Sequence, residues 1–358
     1  MRVRIVSYED INAWILGKFA RKMKEELLKL GVQVDIANDP DDTADINHHI
    51  VYLGYKESAA TSIDTLMITH IDDRNKLNRI SDQMKVAKVG ICMSAQVMNE
   101  LASAGIAADK LAYITPAHDN VMKPRKMVIG ITSRVYPDGC KREELVEYLF
   151  KHISPDIFSL SIMGAGWDKI VEDIRQNGFT VNYYEEFDYD KYVELVPSFD
   201  YYLYTGMDEG SMGFIDALAA GVKTVVTPQG YHLDAPGGMT HSFVEADELV
   251  AVFKEIEQEK RSLMQAVGLW TWKDYALKHL EIWNYLLSPQ QEVAASIYPD
   301  GLNSLLGKKV LLDTDSLNAY NQQLKRGNWR KLYHKVLRIR DVKFMTGKVK
   351  QLLGKFIR

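Results

Sequence analysis

The sequence predicts an α/β protein with two consecutive doubly wound domains, each built around a parallel sheet. Its first 36 residues alternate strand, amphipathic helix and strand, which is the unit from which parallel sheets are assembled. A second alternation of apolar strands and helices begins at Met127. The chain of 358 residues is also longer than one typical hydrophobic core requires. We therefore expect one sheet on each side of a boundary near 118–126.

The first half carries the signals of one doubly wound domain. Residues 3–7 form an apolar strand, and apolar side chains recur every four residues from Ile11 to Leu27, which predicts a helix at about 12–30. A second helix is expected at 94–104, with Ser94 as its N-cap. The remaining apolar runs predict buried strands at 32–36, 50–53, 66–69, 89–93 and 111–114.

The second half repeats this pattern and ends in helices. Strands are predicted at 127–132, 158–163, 180–183, 201–204 and 223–227. Helices are predicted at 141–151, from 168 onward, and at 189–196, 214–220, 247–259 and 262–287. The boundary segment is polar and contains Pro124. We accordingly place the two domains at 1–122 and 123–270.

Charge and composition limit the classes of protein to which this chain can belong. The formal net charge is -4, but residues 325–358 contain twelve Lys and Arg against one acid, so residues 1–324 carry -15. An acidic body of this kind does not indicate a nucleic-acid-binding protein. The two cysteines, Cys92 and Cys140, fit a reducing compartment. No signal peptide and no run of about eighteen apolar residues is present, so we expect a cytoplasmic protein.

One Gly-rich stretch is a candidate ligand site. Residues 204–221 begin as a loop with three glycines and continue as an apolar helical run that stops at Gly221. A loop that leads into a helix in this way presents backbone N–H groups at the positive end of the helix dipole, where anions bind. The adjacent carboxylates Asp208 and Glu209 would repel a bare phosphate but suit a ligand that also carries hydroxyls. The stretch therefore predicts a sugar-nucleotide site, and an ordinary strand-to-helix turn is the alternative interpretation.

Four segments together resemble the GT-B glycosyltransferases of family four, retaining enzymes that use nucleotide-diphosphate sugars. In chain order they are residues 92–116, 132–145, 208–230 and 270–276. In the same order, they are similar to the family's link at the end of the first domain, its Arg…Lys phosphate clamp, its E-x(7)-E motif with the following strand, and its closing helix. The resemblance covers roughly residues 1–287. It implies a GT-B fold, with two Rossmann-like doubly wound domains facing across a cleft and a closing helix at 271–287 that crosses back to the first domain. A helical basic C-terminal extension at 288–358 would follow.

The resemblance implies that Arg134 and Lys141 hold the donor diphosphate. Negative charge grows on this leaving group as the glycosidic bond breaks, so cationic stabilisation has a physical reason. Arg supplies a planar fork and Lys a point charge. The separation of the two residues is two positions longer than in the family pattern, so Arg142 is an alternative to Lys141. A solvated helix start is the other interpretation of this segment.

The E-x(7)-E resemblance implies that Asp216 binds the ribose hydroxyls. The motif spacing assigns the donor sugar to Asp208, whereas the glycine that follows would assign it to Glu209. A carboxylate suits both tasks because it accepts two hydrogen bonds from a vicinal diol. Phosphate or sugar would also meet the backbone N–H groups of Gly210, Ser211, Met212 and Gly213. A purely structural turn is again the alternative.

Three further positions match the family more loosely. His70 ends a predicted strand of the first domain, where the family often has a histidine facing the donor sugar. Gly164 resembles the loop near the nucleotide, and Tyr184 would flank the base. A surface histidine, a tight turn and a core aromatic residue are the respective alternatives. The segment 230–234 follows a strand and could face the acceptor or the diphosphate.

No metal or nucleophile motif is recognisable. Successive side chains of a strand point in opposite directions, so the neighbours His48 and His49 cannot face one metal ion. No Cys or His cluster has zinc spacing, and neither a P-loop nor a nucleophile elbow is present. The resemblance also implies an enzyme that needs no metal and no cofactor beyond its donor substrate.

The partners we expect are a nucleotide-sugar donor and a glycan or lipid-linked acceptor, as in bacterial surface polysaccharide or glycoconjugate synthesis. The enzyme would be a hexosyl- or deoxyhexosyltransferase. Apolar residues alternate with the basic ones of 325–358, a composition typical of a segment that lies on an anionic membrane. Docking on the acidic body and disorder are the alternatives for this segment. Two other functions remain open, namely a sugar-nucleotide epimerase on the same fold and a non-catalytic, glycosyltransferase-like scaffold.

Overall fold

The computed structural model describes residues 1–8, 10–58, 61–288 and Gln322. The chain divides into two compact units. One, the N-terminal unit, contains residues 1–121 and the later described segment 269–288, and the other, the second unit, is Met122–Gly268. Each unit has its own parallel sheet and its own hydrophobic core.

The N-terminal unit contains a six-stranded parallel sheet. Its strands are β1 Arg2–Val6, β2 Gln33–Ala37, β3 Ile46–His49, β4 Ile63–Ile68, β5 Val89–Cys92 and β6 Leu111–Tyr113. The helices between them are α1 Ile15–Lys29, α2 Arg74–Val86 and α3 Ala95–Ser103. The order of strands in the sheet is β2-β1-β3-β4-β5-β6. The helix α1 buries Phe19, Met23 and Leu27, which recur every four residues and so lie on one face.

The second unit also contains a six-stranded parallel sheet. Its strands are β7 Met127–Ile131, β8 Phe158–Met163, β9 Val181–Tyr184, β10 Tyr201–Tyr204, β11 Lys223–Val226 and β12 His241–Ser242. Its helices are α4 Glu143–His152, α5 Asp168–Gln176, α6 Tyr189–Leu195, α7 Met212–Ala219 and α8 Ala246–Gln265. The order of strands in the sheet is β12-β11-β10-β7-β8-β9.

The last described helix, α9 Trp272–Leu287, completes the core of the N-terminal unit. A capping box opens it, in which the Thr271 hydroxyl accepts the Asp274 N–H and the Asp274 carboxylate accepts the Thr271 N–H. The Trp272 ring packs edge-on against Phe19 of α1, with ring centroids 5.0 Å apart. The N-terminal unit is therefore formed from two separated parts of the chain.

The strand order of the second unit creates a crevice at the carboxyl ends of its central strands. β7 pairs with β8 on one side and with β10 on the other. The chain therefore continues from β7 to β8 and β9 on one side and then returns to β10 on the other side. Ligands of doubly wound sheets bind at such a switch point, beyond the carboxyl ends of the strands. The loops that follow β7 and β10, residues 132–142 and 205–211, meet there.

The predicted α/β class with two doubly wound parallel sheets is confirmed. Most predicted elements lie within a few residues of the observed ones, although α1 begins at Ile15 and not at residue 12. The strand predicted at 50–53 is wrong, because the strand is β3 and Tyr52–Gly54 forms a 3-10 turn. Hydrophobic periodicity could not find β3, since three of its four residues are polar.

The polar residues of β3 are nevertheless buried, and each makes at least one side-chain hydrogen bond, while the His48 Nε2 atom has no partner among the described residues. Asn47 accepts the Asp41 N–H at 2.8 Å, and the His48 Nδ1 atom lies 2.9 Å from the Thr65 hydroxyl. His49 lies 2.8 Å from the Tyr8 hydroxyl. His48 and His49 thus contact different partners, as the alternation of side chains along a strand requires.

The predicted break between two helices at residues 260–261 is also wrong. α8 continues through this point, where Arg261 pairs with Glu257 one turn earlier at 2.8 Å. The break lies instead between Gln265 and Thr271. The two-residue strand β12 has no counterpart in the sequence prediction.

The predicted basic extension at 288–358 lies, except for Ser288 and Gln322, outside the described residues. Among the helices that the structure describes, none is long and apolar enough to cross a membrane.

Candidate functional site

The loop after β8 supports the loop after β7. Gly164 has a φ of 142°, and a Cβ atom at this position would overlap the Ser133 carbonyl oxygen. The Trp167 indole N–H donates to the same carbonyl at 2.6 Å, and the Val135 N–H donates to the Ala165 carbonyl at 2.9 Å. These contacts fix the start of the loop that carries Arg134 and Lys141.

The loop after β10 is tied to the end of the same loop. The Met207 N–H donates to the Cys140 carbonyl at 2.7 Å, and the Thr205 hydroxyl donates to the Lys141 carbonyl at 2.6 Å. The backbone of Lys141 is therefore anchored on the crevice between β7 and β10, although the two segments are 64 positions apart in the sequence.

Arg142 has a structural role that distinguishes it from Lys141. It adopts the left-handed region, with φ 45° and ψ 48°, at the N-cap of α4. Its guanidinium donates to the Thr205 carbonyl at 2.7 Å and to the Val244 carbonyl at 3.0 Å. These backbone carbonyls hold the Arg142 side chain, whereas the Lys141 ammonium contacts the side chains of Tyr204 and Asp208 at the carboxyl end of β10.

The Lys141 ammonium lies in a compact polar cluster. Its Nζ atom is 2.6 Å from the Tyr204 hydroxyl and 2.5 Å from the Asp208 Oδ2 atom. The Tyr204 hydroxyl also contacts Asp208, at 2.6 Å. The rings of Tyr136 and Tyr204 face the ammonium at 5.8 and 5.0 Å from their centroids, which is cation–π range. Only 14% of the Lys141 side chain and 18% of the Asp208 side chain are exposed.

The protonation states of this cluster follow from its contacts. Burial raises the pKa of Asp208, but hydrogen bonds from Lys141, Tyr204 and Gly210 outweigh it, so the pKa of Asp208 is below its ordinary value. Burial, followed by the hydrogen bond to Asp208, raises the pKa of Tyr204. At neutral pH the cluster thus contains a carboxylate and a neutral phenol that donates to it.

Arg134 is the second cation of this crevice, and it is exposed. Its guanidinium carbon lies 5.3 Å from the centroid of the Tyr136 ring. The same ring contacts Lys141, so Tyr136 lies between the two predicted clamp residues. Within the part of the chain that the structure describes, Arg134 forms no ion pair, and its charge is available to a ligand.

The Gly-rich loop offers fewer free N–H groups than the sequence predicts. The Gly210 N–H donates to Asp208 at 3.1 Å, and the Ser211 N–H donates to the His232 Nε2 atom at 3.1 Å. Both groups are therefore satisfied within the protein. Gly210 has a φ of 120°, and a Cβ atom here would press on the Tyr231 ring.

The first two residues of α7 supply the remaining N–H groups. The N–H groups of Met212 and Gly213 have no hydrogen-bond partner among the described residues. A Cβ atom at Gly213 would overlap the Thr132 hydroxyl and lie 2.5 Å from the Tyr202 hydroxyl. The glycine thus allows the N-terminus of α7 to approach β7 and β10 closely. An eight-residue helix with two free N–H groups at this end can attract an anion.

The buried His232 ring holds the residue that precedes α7 through a hydrogen bond. It is fully buried, its Nδ1 atom lies 2.9 Å from the Thr227 carbonyl, and its Nε2 atom accepts the Ser211 N–H. Because a carbonyl can only accept, Nδ1 carries the proton and the imidazole is neutral. The sequence indicated the segment 230–234 but not this supporting role.

Glu209 and Asp208 differ in environment, although they are adjacent. The backbone of Glu209 is fixed, because its carbonyl accepts the Tyr231 N–H at 3.1 Å and packs against Gly230, whose φ is 48°. Its side chain is exposed and has no partner in the described parts of the chain. Glu209 is thus a free carboxylate on an anchored backbone, whereas Asp208 is engaged.

Asp216 lies one turn into α7 and is exposed. Its Oδ2 atom accepts the Tyr192 hydroxyl at 2.6 Å. Tyr192 belongs to α6, and its ring contacts Phe187 at 5.4 Å between centroids. The sequence prediction did not include Tyr192, because a tyrosine inside an amphipathic helix gives no separate signal.

The three residues that match the family more loosely are divided between the two units: Gly164 and Tyr184 lie in the second unit and His70 in the N-terminal unit. The Tyr184 carbonyl accepts the Gly164 N–H at 2.9 Å, so these two predicted residues meet at the carboxyl ends of β8 and β9. The Lys191 ammonium lies 5.7 Å from the centroid of the Tyr184 ring. His70 belongs to the N-terminal unit, just after β4, and its ring nitrogens lie 3.1 Å from the Thr69 hydroxyl and 3.0 Å from the Lys76 ammonium.

The site as a whole can bind a polyanion that carries hydroxyls. It combines two cations, two free helix N–H groups and exposed carboxylates at one switch point of a doubly wound sheet. No group of three or more potential metal ligands occurs among residues 1–8, 10–58 and 61–288. The sequence analysis included Tyr136, Tyr204 and His232 only within the segments 132–145, 204–221 and 230–234 and gave none of them a role of its own.

The chain has similarities among solved structures. No protein-family model and no curated protein matches it. The lipopolysaccharide outer core galactosyltransferase WaaB is 11% identical over 81% of this chain and 100% of that one, with a TM-score of 0.33. AviGT4, a glycosyltransferase of avilamycin A biosynthesis, is 15% identical over 80% and 98%, with a TM-score of 0.31. HepE of Anabaena, solved with UDP and glucose, is 13% identical over 80% and 100%, with a TM-score of 0.31. At these identities and TM-scores the similarities carry no argument about function, which is inferred below from the site itself.

Proposed function

We propose that this protein is a GT-B-type glycosyltransferase that moves a sugar from a nucleotide-diphosphate donor to a glycan or lipid-linked acceptor. One observation carries the proposal. Lys141 and Arg134 flank the Tyr136 ring at a crevice that also receives the N-terminus of α7, with the free N–H groups of Met212 and Gly213. These groups would contact the diphosphate, with the Lys141 ammonium beside the Asp208 carboxylate to which it is already paired.

The charges of the site match the chemistry of the reaction. As the bond between the sugar and the diphosphate breaks, negative charge accumulates on the departing phosphate oxygens. Lys141, Arg134 and the helix N–H groups would stabilise this charge more strongly in the transition state than in the bound donor. Removing one such donor typically lowers kcat by about 10²- to 10³-fold.

The carboxylates would recognise the uncharged parts of the donor. Asp216 would accept the ribose hydroxyls, aligned by the Tyr192 hydroxyl at 2.6 Å. The E-x(7)-E resemblance assigns the hydroxyls of the donor sugar to one of the adjacent acids, Asp208 or Glu209. Gly164 and Tyr184, which meet through a backbone hydrogen bond, would border the nucleotide. A contact of His70 with the donor sugar rests on the family resemblance alone.

We also propose the stereochemistry, the donor class and the pathway of the reaction, its independence of metal ions and its place in the cell. The resemblance supplies retention of configuration, a hexosyl or deoxyhexosyl donor and a place in bacterial surface polysaccharide or glycoconjugate synthesis. We propose a metal-independent reaction in the cytoplasm, since two side-chain cations and two helix N–H groups supply positive charge at the leaving group. The twelve basic residues of 325–358 would bring the enzyme to the anionic membrane surface on which a lipid-linked acceptor resides.

A panel of UDP-, GDP- and dTDP-sugars tests the proposal. Incubation of the full chain with each donor is expected to release the nucleoside diphosphate slowly from one of them, with water as a poor acceptor. Recovery of a changed sugar nucleotide without release would identify an epimerase. Failure of every donor and every nucleoside diphosphate to bind would contradict both enzymatic functions and favour a scaffold.

A further inference from the structure

We infer that the second unit contains a further ligand site, at the amino ends of β7, β10 and β11, which binds a small anion with an aromatic body, such as an aryl carboxylate. The site is a cavity of about 480 Å³. It lies at the edge of the sheet opposite to the crevice proposed for the donor, so its ligand would not overlap the donor.

The cavity lies between the sheet and the second half of α8. Met127, Tyr201 and Lys223, the first residues of β7, β10 and β11, line one side of it. Residues of α8 between positions 256 and 263 line the other side. The crevice proposed for the diphosphate is at the carboxyl ends of the same strands. β10 alone extends about 10 Å from one edge to the other, since a strand rises about 3.3 Å per residue. The cavity is therefore a separate site.

The inner wall of the cavity is apolar. Its apolar side chains are Met127, Phe199, Tyr201, Val222, Ile256 and Leu263. Four of them, at 199, 201, 222 and 256, are between 4% and 7% exposed, whereas Leu263 is 69% exposed and so lies at the mouth. The volume falls within the range of about 300–1,000 Å³ that is typical of small-molecule sites. The cavity can therefore take a ligand with one or two rings.

Two ammonium groups of the cavity have no acidic partner. The Lys260 ammonium donates to the Arg125 carbonyl, which leaves two of its three N–H donors, and it forms no ion pair within the described residues. The Lys223 ammonium lies 5.5 Å from the centroid of the Tyr201 ring. In the described part of the chain it, too, forms no ion pair. Both groups can donate to an anion.

The acids of the cavity do not neutralise these two ammonium groups. Asp200 is held by the Arg125 guanidinium, at 2.6 and 2.7 Å, and by the Val128 N–H at 2.7 Å. The other acid, Glu259, is exposed. Burial and then repulsion by Arg125 lower the pKa of Lys260, and an anion beside its ammonium would offset that repulsion. The charge of the cavity thus complements an anionic ligand.

The apolar wall and the two cations together define the class of ligand. A carboxylate would accept N–H groups of Lys223 and Lys260, and a ring attached to it would pack against Phe199 and Tyr201. A bare inorganic anion would leave the apolar wall uncovered, and an organic cation would be repelled. We therefore expect selectivity both for negative charge and for an aromatic body.

Three naphthalene probes that share one ring and differ in charge test this selectivity. They are β-naphthoate, the neutral β-naphthamide and the cationic β-naphthylmethylammonium, and Kd is measured by calorimetry on the full chain. We expect the carboxylate to bind at least tenfold more tightly than the amide, and the cation to bind more weakly than both. The Kd of naphthoate should be the same in Lys141→Ala, because this residue belongs to the other edge of the sheet.

Two variants locate the probe in the cavity. Lys260→Gln should raise the Kd of naphthoate roughly five- to tenfold and change that of naphthamide less than twofold, because only the carboxylate uses the ammonium. Leu263→Glu places a carboxylate at the mouth, three positions after Lys260, where it competes with the ligand for that ammonium. It should raise the Kd of naphthoate more than tenfold, and it serves if Lys260→Gln does not fold.

Lys254→Gln is the matched control. It removes the same charge from the same helix, but Lys254 is 50% exposed, pairs with Glu257 at 3.3 Å and does not line the cavity. Its Kd for naphthoate should stay within twofold of that of the unsubstituted chain, and thermal melts confirm that each variant is folded. Equal affinity for the three probes, no binding of naphthoate, or equal effects of Lys254→Gln and Lys260→Gln would overturn the inference. Loss of naphthoate binding in Lys141→Ala would also overturn it, by placing the probe in the diphosphate crevice.

Discussion

The imidazole of His279 on α9 packs edge-on against the imidazole of His48 on β3, with ring centroids 5.0 Å apart and both side chains fully buried. The Nδ1 atom of His279 lies 2.8 Å from the Tyr275 carbonyl, and Trp283 contacts both rings at 5.5 Å. This pair joins the last described helix to the sheet of the N-terminal unit. Burial lowers the pKa of both residues, and that of His279 falls to about 4.

The histidine pair predicts a loss of stability on acidification. Electrostatic repulsion from His279 and then His49 lowers the pKa of His48 further, and repulsion from Lys278 does the same for His279, while the hydrogen bond to the Tyr275 carbonyl opposes this for His279. Because the pKa of a buried histidine is lower in the folded chain than in the unfolded chain, the unfolded chain binds more protons than the folded one between these two pKa values. The free energy of unfolding therefore falls as the pH decreases from about 6.5 towards 4. His279 alone should contribute a loss of about 2 kcal/mol between pH 7 and pH 5.

Thermal melts at pH 7 and pH 5 check this expectation. The decrease in melting temperature between the two pH values should be smaller in His279→Gln than in the unsubstituted chain. His152→Gln is the control, since His152 is exposed on α4 and its variant should keep the full decrease. An equal decrease in all three proteins would show that the buried pair does not control the acid response.

Lys141 and Arg142 should have separable effects on activity and stability. Lys141→Ala removes the cation of the crevice, and we expect turnover of the donor to fall about 10²- to 10³-fold while the protein remains folded. Arg142→Ala removes hydrogen bonds to two backbone carbonyls, at Thr205 and Val244, and should lower the melting temperature. Initial rates and thermal melts of both variants measure this contrast. Near-normal turnover in Lys141→Ala would move the clamp to another residue.

The sequence predicted these elements unevenly, for physical reasons. Apolar runs such as 158–163 and 201–204 identify buried strands directly, so the doubly wound architecture could be predicted. The cluster of Lys141, Tyr204 and Asp208 could not, because the strand order brings together residues 63 positions apart. Spacing alone also left Arg142 open as an alternative to Lys141, whereas the left-handed backbone of Arg142 directs its side chain to other partners.

The hydrogen bond between Tyr192 and Asp216 predicts a role in donor affinity. Tyr192→Phe removes the donor that aligns the Asp216 carboxylate, so we expect the KM for the donor to rise about three- to tenfold with kcat changed less than twofold. Steady-state kinetics measure both values. Tyr148→Phe is a matched control, because the Tyr148 hydroxyl makes a similar bond to Asp247 at 2.9 Å, between α4 and α8. A fall in kcat with unchanged KM would place Tyr192 in the chemical step instead.

The supply of positive charge by Arg134 and Lys141 predicts that turnover does not depend on a divalent ion. In enzymes that use Mg²⁺ with nucleotide phosphates, the ion neutralises charge on the phosphate oxygens. Here two side-chain cations and the N–H groups of Met212 and Gly213 surround the crevice. We expect dialysis against EDTA to leave the rate unchanged, and added Mg²⁺ to raise it less than twofold. In Arg134→Ala the protein loses one of the two cations, so Mg²⁺ should then restore part of the missing rate, whereas Arg134→Lys keeps the charge and should not respond. A rate that EDTA abolishes and Mg²⁺ restores in the unsubstituted chain would show that these side chains do not suffice.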